Sequence, residues 1–207
     1  MRILIATAVA AERDAVLAGL ASAAVPDTVE VIAVGVGPAA AAAGTAYALA
    51  RGDYHAVVSA GVAGGLPGRA GIGDVVIATR SVAADLGAES PDGFVPISQL
   101  GFGTGEIAAD PFLRHPTAIA GAVLTVSTVT GTQPSTEALA DRYPDAVAEA
   151  MEGFGVATAA SLAGVRFAEL RTVSNLVGPR DTAAWRLDEA LRALTDAVAT
   201  VTKELTT

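Results

Sequence analysis

Short apolar runs rich in Val, Ile and Ala alternate along the chain with longer Ala-rich stretches of helical period. Continuous apolar runs bounded by turn residues are the pattern of strands buried on both faces. They predict strands at 2–6, 30–34, 56–60, 74–79, 123–128, 146–150 and 166–173. Helices are predicted at 10–23, 38–50, 135–142, 153–163 and 187–204, with Pro38 placed at a helix start. This alternation implies an α/β fold around a largely buried sheet. Residues 83–116 break the pattern with clustered glycines and prolines, and read as a loop or short hairpin near a site, or as a disordered excursion. With no internal repeat and no linker composition, residues 1–207 read as a single domain.

Composition narrows the chemistry. Of the 207 residues, 52% are hydrophobic and 17% charged, and the net charge is −9. Arginines are scattered singly, so no basic stripe offers itself to phosphates and nucleic acid is not an expected partner. The single lysine, Lys203, rules out a P-loop lysine and any Schiff base outside the C-terminal tail. The absence of cysteine excludes disulfides, a thiolate nucleophile and thiolate metal ligands. No apolar run reaches the ~18 residues of a bilayer span. The first residues read as a buried strand without a cleavage pattern, so a cytoplasmic, membrane-free protein is expected.

The segments around Met151-Glu152-Gly153-Phe154-Gly155 and Ser174-Asn175 carry the candidate chemistry. They place a carboxylate at the mouth of one apolar helix and a side-chain amide at the end of an apolar strand. A carboxylate suits sugar hydroxyls and an amide can read a purine edge. Glu12 and Glu152 each have a structural explanation as first-turn acids facing a helix dipole. Both also follow the C-terminal ends of predicted strands, where open α/β sheets bind ligands. Gly35-Val36-Gly37-Pro38 imitates a dinucleotide fingerprint, yet the next strand ends Ser59-Ala60-Gly61 without the acid that would hold a ribose. A tight turn is its expected use. Gly61-Val62-Ala63-Gly64-Gly65 reads as a glycine-rich turn after a strand, able to approach a ligand closely. His55 and His115 lack ligand-spaced partners, so no metal is expected. Trp185 and Phe154 are candidates to line a pocket or to fill core.

The order Ala8-Val9-Ala10-Ala11-Glu12, Ser59 to Gly65, Gly73-Asp74-Val75-Val76, Met151-Glu152-Gly153 and Val173-Ser174-Asn175 resembles the nucleoside phosphorylase/nucleosidase superfamily over nearly the whole chain. The resemblance is nearest to the hydrolytic branch that includes 5′-methylthioadenosine/S-adenosylhomocysteine nucleosidase. It implies a three-layer domain with a central, mostly buried mixed β-sheet flanked by helices. It also implies a purine nucleoside and water as partners, no cofactor, and a homo-oligomer, dimer or higher. Under it, Glu152 holds the ribose hydroxyls, Met151 packs on the sugar and Glu12 activates the water. Val62, Val129, Thr130 and Phe154 lie around the substrate, Asn175 faces the base, and Trp185 lines the 5′ side.

Two departures bear on specificity. Asn175 stands where the methylthioadenosine enzymes carry Asp; an amide's fixed donor and acceptor suit a 6-oxopurine and the N–H that develops at N7. Ser59 stands where the phosphorylases carry an arginine, leaving no cationic cradle beside Glu12 and favouring water over phosphate. For a carboxylate on the 5′ substituent, Arg180 is the first candidate, ahead of Arg69 and Arg13, with a salt bridge to Asp181 as its structural alternative. Open alternatives are a nucleosidase for adenine nucleosides, a non-catalytic nucleoside sensor, and, more remotely, a dinucleotide-dependent oxidoreductase.

Overall fold

The computed structural model describes residues 2–23 and 28–205. Strand β1 (Ile3–Thr7) leads into helix α1 (Ala10–Ser22), and β2 (Val29–Ala33) into α2 (Pro38–Leu49). Then come β3 (Ala56–Gly65), β4 (Val75–Ala83), a hairpin of β5 (Gly87–Ser90) and β6 (Gly93–Pro96), and the short β7 (Glu106–Ala108). The chain continues through β8 (Ile119–Thr125), α3 (Gln133–Arg142), β9 (Ala146–Ala150), α4 (Gly153–Ala163), β10 (Arg166–Leu176) and α5 (Leu187–Leu205). A single 3₁₀ turn at Thr182–Ala184 precedes α5.

The main sheet is eight-stranded and mixed, ordered β10-β4-β8-β9-β3-β1-β2, with β7 added against β4. Because β10 also pairs with β3, five strands curl into a closed loop and β1 and β2 extend from it. Successive side chains of β1 therefore enter different layers, as the two faces of a strand require. Ile3 and Ile5 pack with Val16, Leu20, Leu194 and Val198 of α1 and α5. Leu4 packs with Ala41, Leu49, Val156 and Ala160 of α2 and α4. Truncating a side chain as enclosed as Leu4 costs about 2–5 kcal/mol. The closed part of the sheet holds smaller residues, Ala63, Val76, Ala78, Val123, Ala148 and Val173.

The expected layers and helices are present, and three local expectations change. The glycine-rich segment 61–65 is not a turn: it continues β3, because β10 runs beside it from Arg166↔Ala56 to Leu176↔Gly65. Strand β8 starts and ends earlier than its apolar run suggested, so residues from Val126 onward leave the sheet as a loop. Within 83–116 the hairpin forms as β5–β6, while β7 joins the main sheet, pairing Ile107 with Ser81.

Candidate active site

A cleft of about 310 Å³ opens over the loops after β1, β2, β8 and β9 and the last turns of β3 and β10. Its lining includes Glu12, Val62, Val129, Thr130, Met151, Glu152, Asn175 and Trp185. Pockets of this size with a few convergent polar groups are typical of small-molecule sites. The fold thus gathers eight of the ten residues singled out from sequence.

Glu12 is 4% exposed and sits in the first turn of α1. Its Oε2 accepts the N–H of Ala8 at 2.9 Å and of Val9 at 3.3 Å, so it serves the start of α1 as a first-turn acid and also reaches the N-cap backbone. Its Oε1 accepts the N–H of Val62 at 2.9 Å, tying the helix start to β3 across the cleft floor. Gly61 is required for this approach, since a Cβ there would lie 2.5 Å from Glu12 Oε1 and 2.8 Å from Arg171 Nη1.

Glu152 stands at the N-cap position of α4, without a side-chain bond to the helix, and is 6% exposed. Oε1 accepts the N–H of Gly37 at 3.1 Å, and Oε2 lies 3.5 Å from Arg171 Nη1. The fingerprint-like turn before α2 therefore serves as a clamp on Glu152. Arg171, 1% exposed, also donates to Glu169 Oε1 and Ser59 Oγ, both at 2.9 Å. Its burial works against the charge, but Glu169, Glu152 and Glu12 outweigh that and hold the guanidinium ionised. Burial pushes the Glu169 carboxyl up, and its Oε2 has no hydrogen-bond partner.

The expectation that no cation stands near Ser59 is thus corrected. β10 pairs with β3 in register Arg171↔Gly61, so the cation arrives from the neighbouring strand rather than from the strand that carries Ser59. Sequence reasoning also missed Glu149 and Glu169. The readable signal was the same for all three: a charged residue inside an apolar strand run must be paired, because burying it alone is prohibitive.

Asn175, in the same cleft, is half-buried. Its Nδ2 donates to the Leu176 carbonyl at 2.9 Å, and its Oδ1 lies 2.8 Å from the Ser174 hydroxyl. One N–H and one lone pair stay free for a ligand. The N–H and hydroxyl of Thr130 both donate to Glu149, which lines the cleft and is 5% exposed.

Two predicted residues lie outside the lining. Phe154 faces an adjoining cleft with Pro38, Leu86 and Thr158, and its amide donates to Thr125 Oγ1. Arg180 is exposed, with its guanidinium 5.7 Å from the centre of the Trp185 ring. The alternative pairing of Arg180 with Asp181 does not form, since Asp181 accepts the N–H of Ala183 instead. Arg69 donates to the carbonyls of Ala140, Tyr143 and Ala146, and Arg13 pairs with Asp14. Among the described residues, no cluster of three or more His, Asp or Glu could hold a metal ion, and no helix is long and apolar enough to cross a membrane.

Residues 25–207 match the model of the phosphorylase superfamily. The chain belongs to the phosphorylase superfamily. Relatives in that superfamily include the futalosine hydrolase of Streptomyces coelicolor, 50% identical over 96% of this chain and 94% of its own. The futalosine hydrolase of Acidothermus cellulolyticus is likewise 50% identical, over 95% of this chain and 88% of its own. Among solved superfamily structures, futalosine hydrolase of Helicobacter pylori superposes with a TM-score of 0.80 at 19% identity, covering 100% of this chain and 97% of that one. At that identity the likeness establishes the fold, a mixed sheet between helices.

Proposed function

We propose that this chain is a futalosine hydrolase, an N-glycosyl hydrolase that releases hypoxanthine and dehypoxanthine futalosine in menaquinone biosynthesis. The observation that carries the reading is the meeting of Glu12, Glu152 and Asn175 in one cleft of a chain half-identical to two futalosine hydrolases. Glu12 takes a proton from a water that attacks C1′ as the bond from C1′ to N9 breaks. The leaving base carries the electron pair and gains a proton at N7 from solvent water, as Glu12 retains the one taken from the attacking water. Glu152 binds the ribose hydroxyls and, with Glu12, faces the positive charge that develops on the sugar. Arg171 holds Glu152 in place while Glu169 takes up part of its charge. The free N–H of Asn175 donates to O6 and its free lone pair accepts a hydrogen bond from the N7–H. Preorganised polar groups of this kind commonly supply the largest share of rate acceleration.

The purine lies against Val62, Val129 and Thr130, and Met151 packs on the sugar. Trp185 lines the 5′ side, and Arg180 over its ring meets the aromatic carboxylate of futalosine. Phe154 lines the adjoining cleft and takes no part in this reading. We read residues 1–207 as one cytoplasmic domain that acts as a homo-oligomer, dimer or higher. The exposure of Val36 (55%) and Val129 (40%) at the rim of the cleft supports a second subunit there.

The test is release of free base in phosphate-free buffer from futalosine, aminodeoxyfutalosine, methylthioadenosine and inosine in parallel. Hypoxanthine released from futalosine, with the adenine nucleosides poor, is the expected result. Adenine released from methylthioadenosine in preference would keep the fold and overturn the substrate.

A further inference from the structure

The residue of the cleft that the mechanism leaves unused is Glu149. It interrupts the otherwise apolar run Ala146-Val147-Ala148-Glu149-Ala150, where a carboxyl is costly and needs a reason to be there. The sheet gives its position. Gly64 of β3 pairs with Asn175 of β10 on one side and with Glu149 of β9 on the other. Adjacent strands lie about 4.8 Å apart, so the carboxyl and the amide flank the glycine at one level of the sheet. Gly64 has no side chain to fill the gap, and a Cβ there would lie 3.3 Å from Asn175 Nδ2. All three residues line the same cleft.

We propose that Glu149 is the second base-reading residue of this site, its carboxylate accepting the N1–H of a 6-oxopurine while Asn175 reads O6 and N7. The inference rests on the reading of Asn175 given above. Along the edge of such a base, N7, O6 and N1–H follow one another, so a receptor for all three must place an acceptor on the far side of O6 from the amide. Glu149 stands there with respect to Asn175. The two bonds from Thr130 satisfy one lone pair on each of its oxygens and leave others free. Burial pushes this carboxyl up and Asp85 adds to that, while the two Thr130 bonds favour the ionised form. A 6-aminopurine presents a bare lone pair at N1, which a carboxylate repels. Discrimination between the two bases thus rests on a pair of side chains from different strands, one admitting the oxo edge and one excluding the amino edge.

The experiment compares wild type with Glu149→Gln and Glu149→Leu in kcat/KM for futalosine and aminodeoxyfutalosine, and in binding of free hypoxanthine and adenine. Glutamine keeps the shape and can still bond Thr130, so it serves as the variant that folds. The expected result is a fall of about tenfold or more in the hypoxanthine-to-adenine ratio for Glu149→Gln, seen in turnover and in base binding alike. Equal losses on both nucleosides, or an unchanged ratio, would overturn the proposal and reduce Glu149 to a support for Thr130. The base-binding arm separates this inference from the functional reading. If wild type cleaves neither nucleoside yet prefers hypoxanthine, and Glu149→Gln erases that preference, the substrate assignment fails and the role of Glu149 stands. If wild type cleaves futalosine and Glu149→Gln discriminates as before, the reverse holds.

Discussion

The floor and the rim of the cleft are built on different principles. On the floor, Glu12 and Glu152 are each less than 7% exposed, and both oxygens of each are met by backbone N–H groups or by Arg171. At the rim, Arg180 is exposed with its guanidinium over the Trp185 ring, and Val36 and Val129 project beside the opening. The floor is therefore held by the same hydrogen bonds that join α1, β3, α2 and α4, and its geometry comes with the fold. The rim is held by side chains that can move. Chemistry and recognition of the 5′ substituent should separate under mutation: floor changes strike turnover and stability, rim changes strike substrate binding.

The strongest way to break that contrast is to neutralise the floor acids. Glu12→Gln and Glu152→Gln should each lower kcat by about 10²–10⁴-fold with the circular dichroism spectrum retained. A folded Glu12→Gln enzyme with full turnover would remove Glu12 from the role of base. Next is the shared cation. Arg171→Met leaves Glu152 and Glu169 buried without a counter-charge and should cost about 3–5 kcal/mol in a denaturant titration. A loss of under about 1 kcal/mol, the range of a surface pair, would show that the cluster is not a structural unit. The smallest effect belongs to the rim. Arg180→Ala should raise KM for futalosine roughly tenfold, leave kcat near wild type, and spare inosine, which has no 5′ carboxylate. An equal effect on both nucleosides would move Arg180 from recognition to general support of the Trp185 loop.

Much of this was legible from sequence because it is encoded locally. Alternation of apolar runs set the strands and helices, with β9 and α4 predicted to their observed limits. Met151 and Glu152 stand directly after β9 and Glu12 in the first turn of the helix that follows β1, where local order places them at the mouth of a cleft. Strand lengths were less legible. Gly61 to Gly65 carry turn composition, yet they extend β3 because β10 supplies hydrogen-bond partners along their length. Phe154 was assigned to the substrate cleft by its neighbours in sequence, but a helix turns successive side chains by about 100° and sends it elsewhere.

From its sequence alone, this protein was determined to be an α/β nucleosidase-like chain with two acids and an amide of known order. Only the tertiary structure brought Arg171 under Glu152 and Ser59, and set Glu149 across Gly64 from Asn175. Both juxtapositions depend on the closing of the sheet between β3 and β10. That closure joins residues more than a hundred positions apart, and the pairing register that sets it is a property of two strands together rather than of either alone.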